Sequence, residues 1–222
     1  YENNYIVNNT LNGLSFFKSD GCNIRSNTII NNQDGLVLSD SHNNNITDLN
    51  NISSNFQSGM RLDNSNHNSI EDCFLELNGI DAIRITSSLF NSFLRNNLIN
   101  NLLTGFYLSY SNSNVLFDNN ASFNGEDGIK LSNSNENNIT GNFVLDNGGF
   151  GIISNLSFHN TIIDNTVPIG EIKWVFSSYG AIYSSPALYD VNNDGFMEIF
   201  IGSLDDNLYC LNGSDGTVIW NY

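Results

Sequence analysis

The sequence repeats one short pattern about seven times. A small residue, glycine in six coils and alanine in one, recurs at intervals of 22 to 24 residues. The recurring positions are Gly13, Gly35, Gly59, Ala82, Gly105, Gly128 and Gly151. A period of this length is typical of a solenoid, in which each repeat forms one coil and buries its apolar side only by stacking on its neighbours. The period therefore predicts the architecture of residues 1–168.

Apolar residues stand one and three positions after each recurring glycine or alanine, usually with a polar residue between them, which is the alternation of a strand with one buried face. Only Ser154, in the last coil, interrupts these two columns. Two more apolar columns follow in each coil, if one extra residue is allowed near Leu49. These columns are Ile24, Ile46, Ile70, Phe93, Leu116, Ile139 and Ile162, and Ile29, Ile52, Leu75, Leu98, Ala121, Val144 and Val167. We predict an all-β, right-handed parallel β-helix of about seven coils, with three short strands in each coil.

Asparagine also recurs in phase with the apolar columns. The three asparagine columns are Asn44, Asn68, Asn91, Asn114, Asn137 and Asn160; Asn27, Asn50, Asn96, Asn119, Asn142 and Asn165; and Asn9, Asn32, Asn55, Asn78, Asn101, Asn124 and Asn147. Cys22 and Cys73 replace asparagine in the first two columns. Because asparagine tolerates the left-handed backbone region, we expect it at tight corners between strands. Stacked amides are expected to form ladders from coil to coil.

The segment NGEDGIKLSNSNENNITGN, residues 124–142, resembles the right-handed β-helix repeats of pectate-lyase-like folds. In particular, it is similar to the NosD-like, carbohydrate-binding-and-sugar-hydrolase type of repeat. The resemblance covers residues 1–168 and implies the same fold. Members of this group include lyases, hydrolases, epimerases, adhesins and proteins without known activity, so the resemblance does not decide the function.

The pattern stops after Pro168. The segments GEIKWVF (170–176) and GTVIWNY (216–222) match each other at a period of 46 residues. This tail resembles a blade of the FG-GAP or PQQ-like β-propellers, whose blades are about 40–50 residues long. One blade and the start of another cannot close a propeller. We therefore expect a β-helix at 1–168, a partial propeller at 169–222, and a chain that is part of a longer protein.

The chain has 7 basic and 23 acidic residues, a formal net charge of −16. This charge disfavours nucleic acid and anionic membranes as partners, because both need a basic footprint. It also disfavours polyanionic substrates unless cations bridge them. No apolar run reaches the roughly 18 residues of a membrane span. Together with the family resemblance, the acidic composition favours a secreted or cell-surface protein.

The motif DVNNDGFME, residues 190–198, offers oxygen ligands at alternate positions, a glycine for a sharp turn and a closing carboxylate, which suits a hard cation such as Ca²⁺. It resembles the short calcium loops of integrin-type propeller blades. The resemblance implies that Asp190, Asn192, Asp194 and Glu198 bind calcium through side chains and Phe196 through its carbonyl, in a structural role. The alternative is a tight turn between two strands without metal.

A second candidate site is a column that points outward from the first sheet, two residues after each glycine. The column contains Ser15, Val37, Arg61, Arg84, Tyr107, Lys130 and Ile153, and beside it, just before each glycine, stand Asp34, Ser58, Asp81, Thr104 and Asp127. We call Arg61, Arg84, Tyr107 and Lys130 the basic-aromatic strip and predict that it contacts a ligand. In pectate-lyase-like enzymes such clusters bind sugar and transfer protons, so Asp81, Arg84, Asp127 and Lys130 are candidates for catalysis.

The alternative interpretation of this column is a set of solvated cross-strand ion pairs, each worth under about 1 kcal/mol. A further outward column, Asp48, Asp72, Arg95, Asp118 and Asp164, is interpreted as a charged surface ladder. Copper is disfavoured, because His42, His67 and His159 are dispersed in the sequence and soft metals need clustered imidazole or sulfur.

Two functions remain open at this stage. The first is an extracellular binding or adhesion module that presents a β-helix face to a glycan or a partner protein, with calcium in the C-terminal blade. The second is a polysaccharide lyase or glycoside hydrolase that acts on the same face.

Overall fold

The computed structural model of the protein describes residues 1–167, 176–191, 197–213 and 216–222. The chain divides into two compact units, Tyr1–Pro168 and Ile169–Tyr222. The regular secondary structure of the described residues is all strand. Among these residues there is no helix of the length and hydropathy needed to cross a bilayer.

The first unit is a right-handed parallel β-solenoid of about seven coils, as predicted. Its first sheet contains Leu14–Phe17, Leu36–Ser39, Met60–Asp63, Ile83–Thr86, Phe106–Ser109, Ile129–Ser132 and Ile152–Asn155. Its second sheet contains Asn23–Arg25, Asn45–Thr47, Ser69–Glu71, Ser92–Leu94, Val115–Phe117, Asn138–Thr140 and Thr161–Ile163. Its third sheet contains Tyr5–Val7, Thr28–Ile30, Asn51–Ser53, Phe74–Glu76 and Asn97–Ile99, and single bridges extend it through Asn120, Phe143 and Thr166.

Every strand pairs in parallel with the equivalent strand of the next coil, so equivalent residues stack in register. Ile83, for example, lies between Met60 and Phe106. The predicted apolar columns form one continuous core, in which the apolar side chains of the middle coils are fully buried. In the last coil the side chain of Ile162 is 39% exposed, and Ser154 interrupts the column as expected.

The glycine column is explained by close packing. A Cβ atom at Gly35 would clash with the side chain of Ile52 and with the carbonyl oxygen of Gly59 in the next coil. The tightest contacts of this column come from β-branched side chains, those of Ile29, Ile52 and Val144, whereas at Gly59 the nearest atom of Leu75 would stand 3.1 Å away. Leu98 occupies the same position in the coil of Ala82, so a leucine also accompanies the one alanine of the glycine column.

The asparagine ladders are present, but their backbone role differs from the prediction. The left-handed residue is the one immediately before each ladder residue, as with Asp118 (φ 52°) before Asn119 and Phe123 (φ 59°) before Asn124. In the described coils the ladder asparagines lie outside the left-handed region. The explanation from left-handed tolerance was therefore wrong: the asparagines are needed for their amides, which bond the coils together.

Each buried amide bonds in both directions along the solenoid. Asn101 donates from Nδ2 to Oδ1 of Asn124 at 3.0 Å and to the carbonyl of Leu75 at 3.1 Å, and its own Oδ1 accepts from the amide of Asn78 at 2.9 Å. Cys73 interrupts one column, where Asn50 meets its Sγ atom at 3.8 Å.

A fourth ladder, of serines, was not predicted. Its members are Ser19, Ser41, Ser65, Ser88, Ser111, Ser134 and Ser157, and from Ser41 onward each Oγ accepts the backbone N–H of the serine one coil earlier. A left-handed residue again precedes each serine. Each coil therefore turns at four corners, and every corner consists of a left-handed residue followed by a ladder residue.

The described part of the second unit is one antiparallel sheet of four strands, Ala187–Tyr189, Glu198–Gly202, Leu208–Leu211 and Val218–Asn221. Ile201, Tyr209 and Leu211 form its small core, with Phe176 and Ile199 packed against them. The structure thus shows an antiparallel sheet in this unit, and the propeller blade stays a prediction.

Candidate functional site

The parallel register of the first sheet places the basic-aromatic strip in one line. Arg61 pairs with Arg84, Arg84 with Tyr107, and Tyr107 with Lys130 in successive coils. Val37 precedes this line and Ile153 follows it. Val37 was predicted to point outward, but the structure shows it buried, with only 2% exposed. Because Val37 and Ile153 are both apolar, the polar strip ends at these two residues.

Each cation of the strip is paired with a buried carboxylate that stands just before a recurring glycine or alanine. Arg61 Nη1 lies 2.7 Å from Asp34 Oδ2, and Arg84 Nη1 lies 3.1 Å from Asp81 Oδ2. Lys130 Nζ lies 3.2 Å from Asp127 Oδ2. These carboxylates are nearly inaccessible to solvent, whereas the cations are about one-third exposed. The predicted solvated pairs are therefore half-buried pairs.

The second oxygen of each carboxylate binds the backbone of a neighbouring coil. Asp34 Oδ1 accepts the N–H of Ser58 at 3.0 Å, and Asp81 Oδ1 accepts that of Thr104 at 3.3 Å. Asp127 Oδ1 accepts the N–H of Phe150 at 2.9 Å. Sequence reasoning missed this double role. The recurrence of Asp, Ser and Thr just before the recurring glycine or alanine was the only sequence signal that side chains at this position bond to the backbone.

The ring of Tyr107 lies between two cations. The guanidinium carbon of Arg84 is 4.7 Å from the ring centroid, and Lys130 Nζ is 6.0 Å from it. Such contacts are worth about 0.5–1 kcal/mol at exposed sites. A shallow depression of about 200 Å³ opens here, lined by Asp81, Arg84, Leu103, Thr104, Tyr107, Glu126 and Lys130. The sequence had not indicated Leu103 and Glu126.

Burial raises the pKa of the Asp81 carboxyl above its ordinary value, although the positive charge of Arg84 and the N–H of Thr104 act in the opposite direction. Desolvation thus outweighs the ion pair. With both oxygens of Asp81 and of Asp127 engaged, the four predicted catalytic residues form two closed ion pairs. This geometry favours holding a surface in shape over abstracting a proton.

The other charged column also forms pairs. Arg95 Nε lies 3.0 Å from Asp72 Oδ1, and a second guanidinium nitrogen contacts Glu71. Asp48, Asp118 and Asp164 have left-handed backbone at the equivalent corners. These exposed pairs match the predicted surface ladder.

The structure describes only part of the predicted calcium loop. Asn192, Asp194 and Phe196 lie outside the described residues, whereas Asp190 and Glu198 lie within them. The side chain of Glu198 is fully buried, and its Oε2 accepts the N–H of Val191 at 2.8 Å. Its Oε1 is buried without a hydrogen-bond partner among the described residues. An orphaned carboxylate oxygen fits a cation ligand.

The stacked coils, the amide ladders and the lateral strip define the class of this protein, a right-handed parallel β-solenoid with a polar side face. The chain belongs to the NosD family, described as periplasmic copper-binding protein (NosD), which it matches over residues 1–186. No curated protein sequence matches it.

Solved structures of the periplasmic alginate epimerase AlgG are similar in fold. A mutant form superposes with a TM-score of 0.66 at 21% identity, covering 73% of this chain and 44% of the epimerase. A second AlgG structure has a TM-score of 0.62 at 20% identity, with 72% and 44% coverage. At this identity the likeness concerns the fold alone, and the chain spans less than half of the length of these epimerases.

The residues of this chain do not fit the copper of the family description. All histidines, cysteines and methionines lie among the described residues, where no group of three or more His, Cys, Asp or Glu side chains could hold a metal ion. His42 Nδ1 accepts the N–H of Asn66 at 3.0 Å, and Met60 is fully buried. Burial raises the pKa of the Cys73 thiol to about 12, which keeps the thiol protonated at neutral pH.

Proposed function

We propose that the solenoid is a polysaccharide-binding module whose ligand lies on the basic-aromatic strip. The observation that carries this proposal is the ring of Tyr107, held between Arg84 and Lys130 beside a shallow depression. An aromatic face offers apolar surface to the C–H groups of a sugar ring. The adjacent guanidinium and ammonium groups still have N–H donors for its hydroxyl groups.

The same geometry favours binding over catalysis. A general base needs a carboxylate oxygen that reaches the proton of the substrate, yet Asp81 and Asp127 use both oxygens within the protein. The fold relationship to alginate epimerases supports polysaccharide as the ligand class. The description of the family and of AlgG as periplasmic supports a location outside the cytoplasm.

Tyr107→Ala tests this proposal. We expect it to weaken oligosaccharide binding at least about tenfold, which corresponds to a loss of about 1.4 kcal/mol. Isothermal titration calorimetry with ligands identified on a glycan array measures the effect. Tyr110→Ala is the matched control, because Tyr110 belongs to the same coil, is 62% exposed and lies outside the strip.

Equal loss of binding in both variants would contradict the assignment of the strip. A reducing-end or unsaturated-product assay on the same samples tests the alternative, a lyase or hydrolase. Turnover in the native protein that disappears in Arg84→Ala would show that the strip belongs to an enzyme and would contradict the binding module.

For the second unit we propose one blade of a β-propeller with a structural calcium ion. A four-stranded antiparallel sheet and the repeat of 46 residues support the blade. The buried Oε1 of Glu198, which has no hydrogen-bond partner among the described residues, supports the ion, with Asp190 as a second ligand. Asn192, Asp194 and Phe196 complete the predicted set outside the described residues. A calcium ion enclosed in this way would link the ends of the loop.

Calcium binding is tested by thermal unfolding followed through tryptophan fluorescence. Trp174 and Trp220 are the only tryptophans, and both belong to the second unit. Calcium at a hundredfold excess over its Kd is expected to stabilise this unit by about 2.7 kcal/mol. The stabilisation should disappear in Glu198→Gln and persist in Glu126→Gln. A transition that calcium and chelator leave unchanged in the native protein would rule out the ion.

A further inference from the structure

We infer, on the basis of the proposed function, that the strip selects an uncharged polysaccharide and rejects polyuronates. The epimerases that share the fold are named for alginate, which is a polyuronate. The charges around the strip of this chain argue for a different ligand class.

The cations of the strip are outnumbered by the carboxylates next to them. The carboxylates are Asp34, Asp63, Asp81, Asp127 and Glu126, and the cations are Arg61, Arg84 and Lys130. Arg61 contacts two of these acids, with Nε 2.8 Å from Asp63 Oδ2. A uronate on the strip would therefore meet a surface of net negative charge.

A cation of the strip cannot leave its carboxylate for a ligand without a cost in free energy. Asp34 and Asp81 have side chains only 3% and 4% exposed. If Arg84 turned away to bind a uronate, Asp81 would remain as a buried charge without its partner, and leaving a buried charge uncompensated is strongly unfavourable. A hydroxyl group needs no such exchange, because it accepts a hydrogen bond from a guanidinium that stays paired.

The strip also limits the length of the ligand along the solenoid axis. It runs over four successive coils between Val37, which is buried, and the apolar Ile153. Three steps of about 4.8 Å give a polar length of about 14 Å. Affinity should thus stop rising once a short oligosaccharide fills this length.

The test is calorimetric titration of the full chain with neutral β-1,4-linked glucose and mannose oligosaccharides and with mannuronate and guluronate oligosaccharides of matched length. We expect the neutral sugars to bind at least about tenfold more tightly, with a gap that widens at low ionic strength because the repulsion is less screened. In Asp81→Asn, which keeps an oxygen for Thr104 but frees Arg84, the gap should narrow. Asp127→Asn does the same for Lys130, so the test does not depend on the folding of one variant.

Tyr107-dependent binding of uronates as tight as that of neutral sugars would overturn the selectivity and leave the polysaccharide-binding module standing. Uronate binding that appears only with added Ca²⁺ would also overturn it. Failure of all four sugars to bind would overturn both the selectivity and the proposed function.

Discussion

Asn119→Ala is expected to destabilise the solenoid by about 3–5 kcal/mol. The asparagine side chain makes four hydrogen bonds in a fully enclosed position. Its Oδ1 accepts the backbone N–H and the amide of Asn96 at 2.9 and 3.0 Å, and its Nδ2 donates to Phe93 O and Asn142 Oδ1, both at 2.9 Å. Alanine would leave these groups buried without their partner, and each such group costs about 1–3 kcal/mol.

Chemical denaturation followed by circular dichroism measures this loss. Asn120→Ala is the matched control, because Asn120 is the next residue in the same coil, is only partly buried, and has an Oδ1 without a hydrogen-bond partner among the described residues. Its side chain makes one hydrogen bond, from Nδ2 to Asn97 Oδ1 at 2.8 Å, so its removal should cost under about 1 kcal/mol. Similar losses in the two variants would show that the ladder amides contribute no more than an amide with a single hydrogen bond.

Gly128→Ala should destabilise the solenoid by about 3 kcal/mol. A Cβ atom there would clash with the side chain of Val144 and would stand 2.7 Å from the carbonyl oxygen of Gly151. The carbonyl belongs to the next coil, so the two coils would have to separate at this point. The melting temperature and the free energy of unfolding report the effect.

Gly21→Ala separates crowding from backbone strain. Gly21 has a φ of +67°, yet a Cβ atom there would meet nothing within 4 Å. Alanine at this site should therefore cost only the conformational penalty of about 1 kcal/mol. If Gly128→Ala were no more destabilising than this control, close packing would not be the reason for the glycine column.

Much of the solenoid was predictable because each coil repeats the same local pattern. The columns through Ile83 and Phe93 identified inward strand positions, and the asparagine phase located three of the four corners. The serine column was equally regular. It was overlooked because a short hydroxyl side chain carries no strong structural expectation of its own.

The backbone at the corners was not predictable from residue types. Left-handed positions are occupied by residues as different as Asp118, Phe123 and Arg95. Stacking on neighbouring coils imposes this conformation, at a cost of about 1–2 kcal/mol per residue. Hydrogen bonds from the ladder residue that follows offset this cost, so local preference is overridden.

For the basic-aromatic strip, too, the sequence pattern predicted the position of the residues but not their contacts. Its alignment followed from the repeat, since register in a parallel sheet is set by which face is buried. The closed pairing of Asp81 and Asp127 did not follow, because it depends on a backbone N–H one coil away. This pairing favours Asp81 and Asp127 as supports of the proposed binding surface over a role in proton transfer.

The sequence by itself determined the coil, its three strands and the columns that stack, because alternation and period act within a single repeat. Only the tertiary structure decided why glycine recurs, which residue turns left-handed, that Val37 is covered and that each strip cation already has a partner. Apart from the local pairs of Arg84 with Asp81 and of Lys130 with Asp127, these properties arise from contacts between residues of neighbouring coils. Such residues come within contact distance only when the coils are stacked.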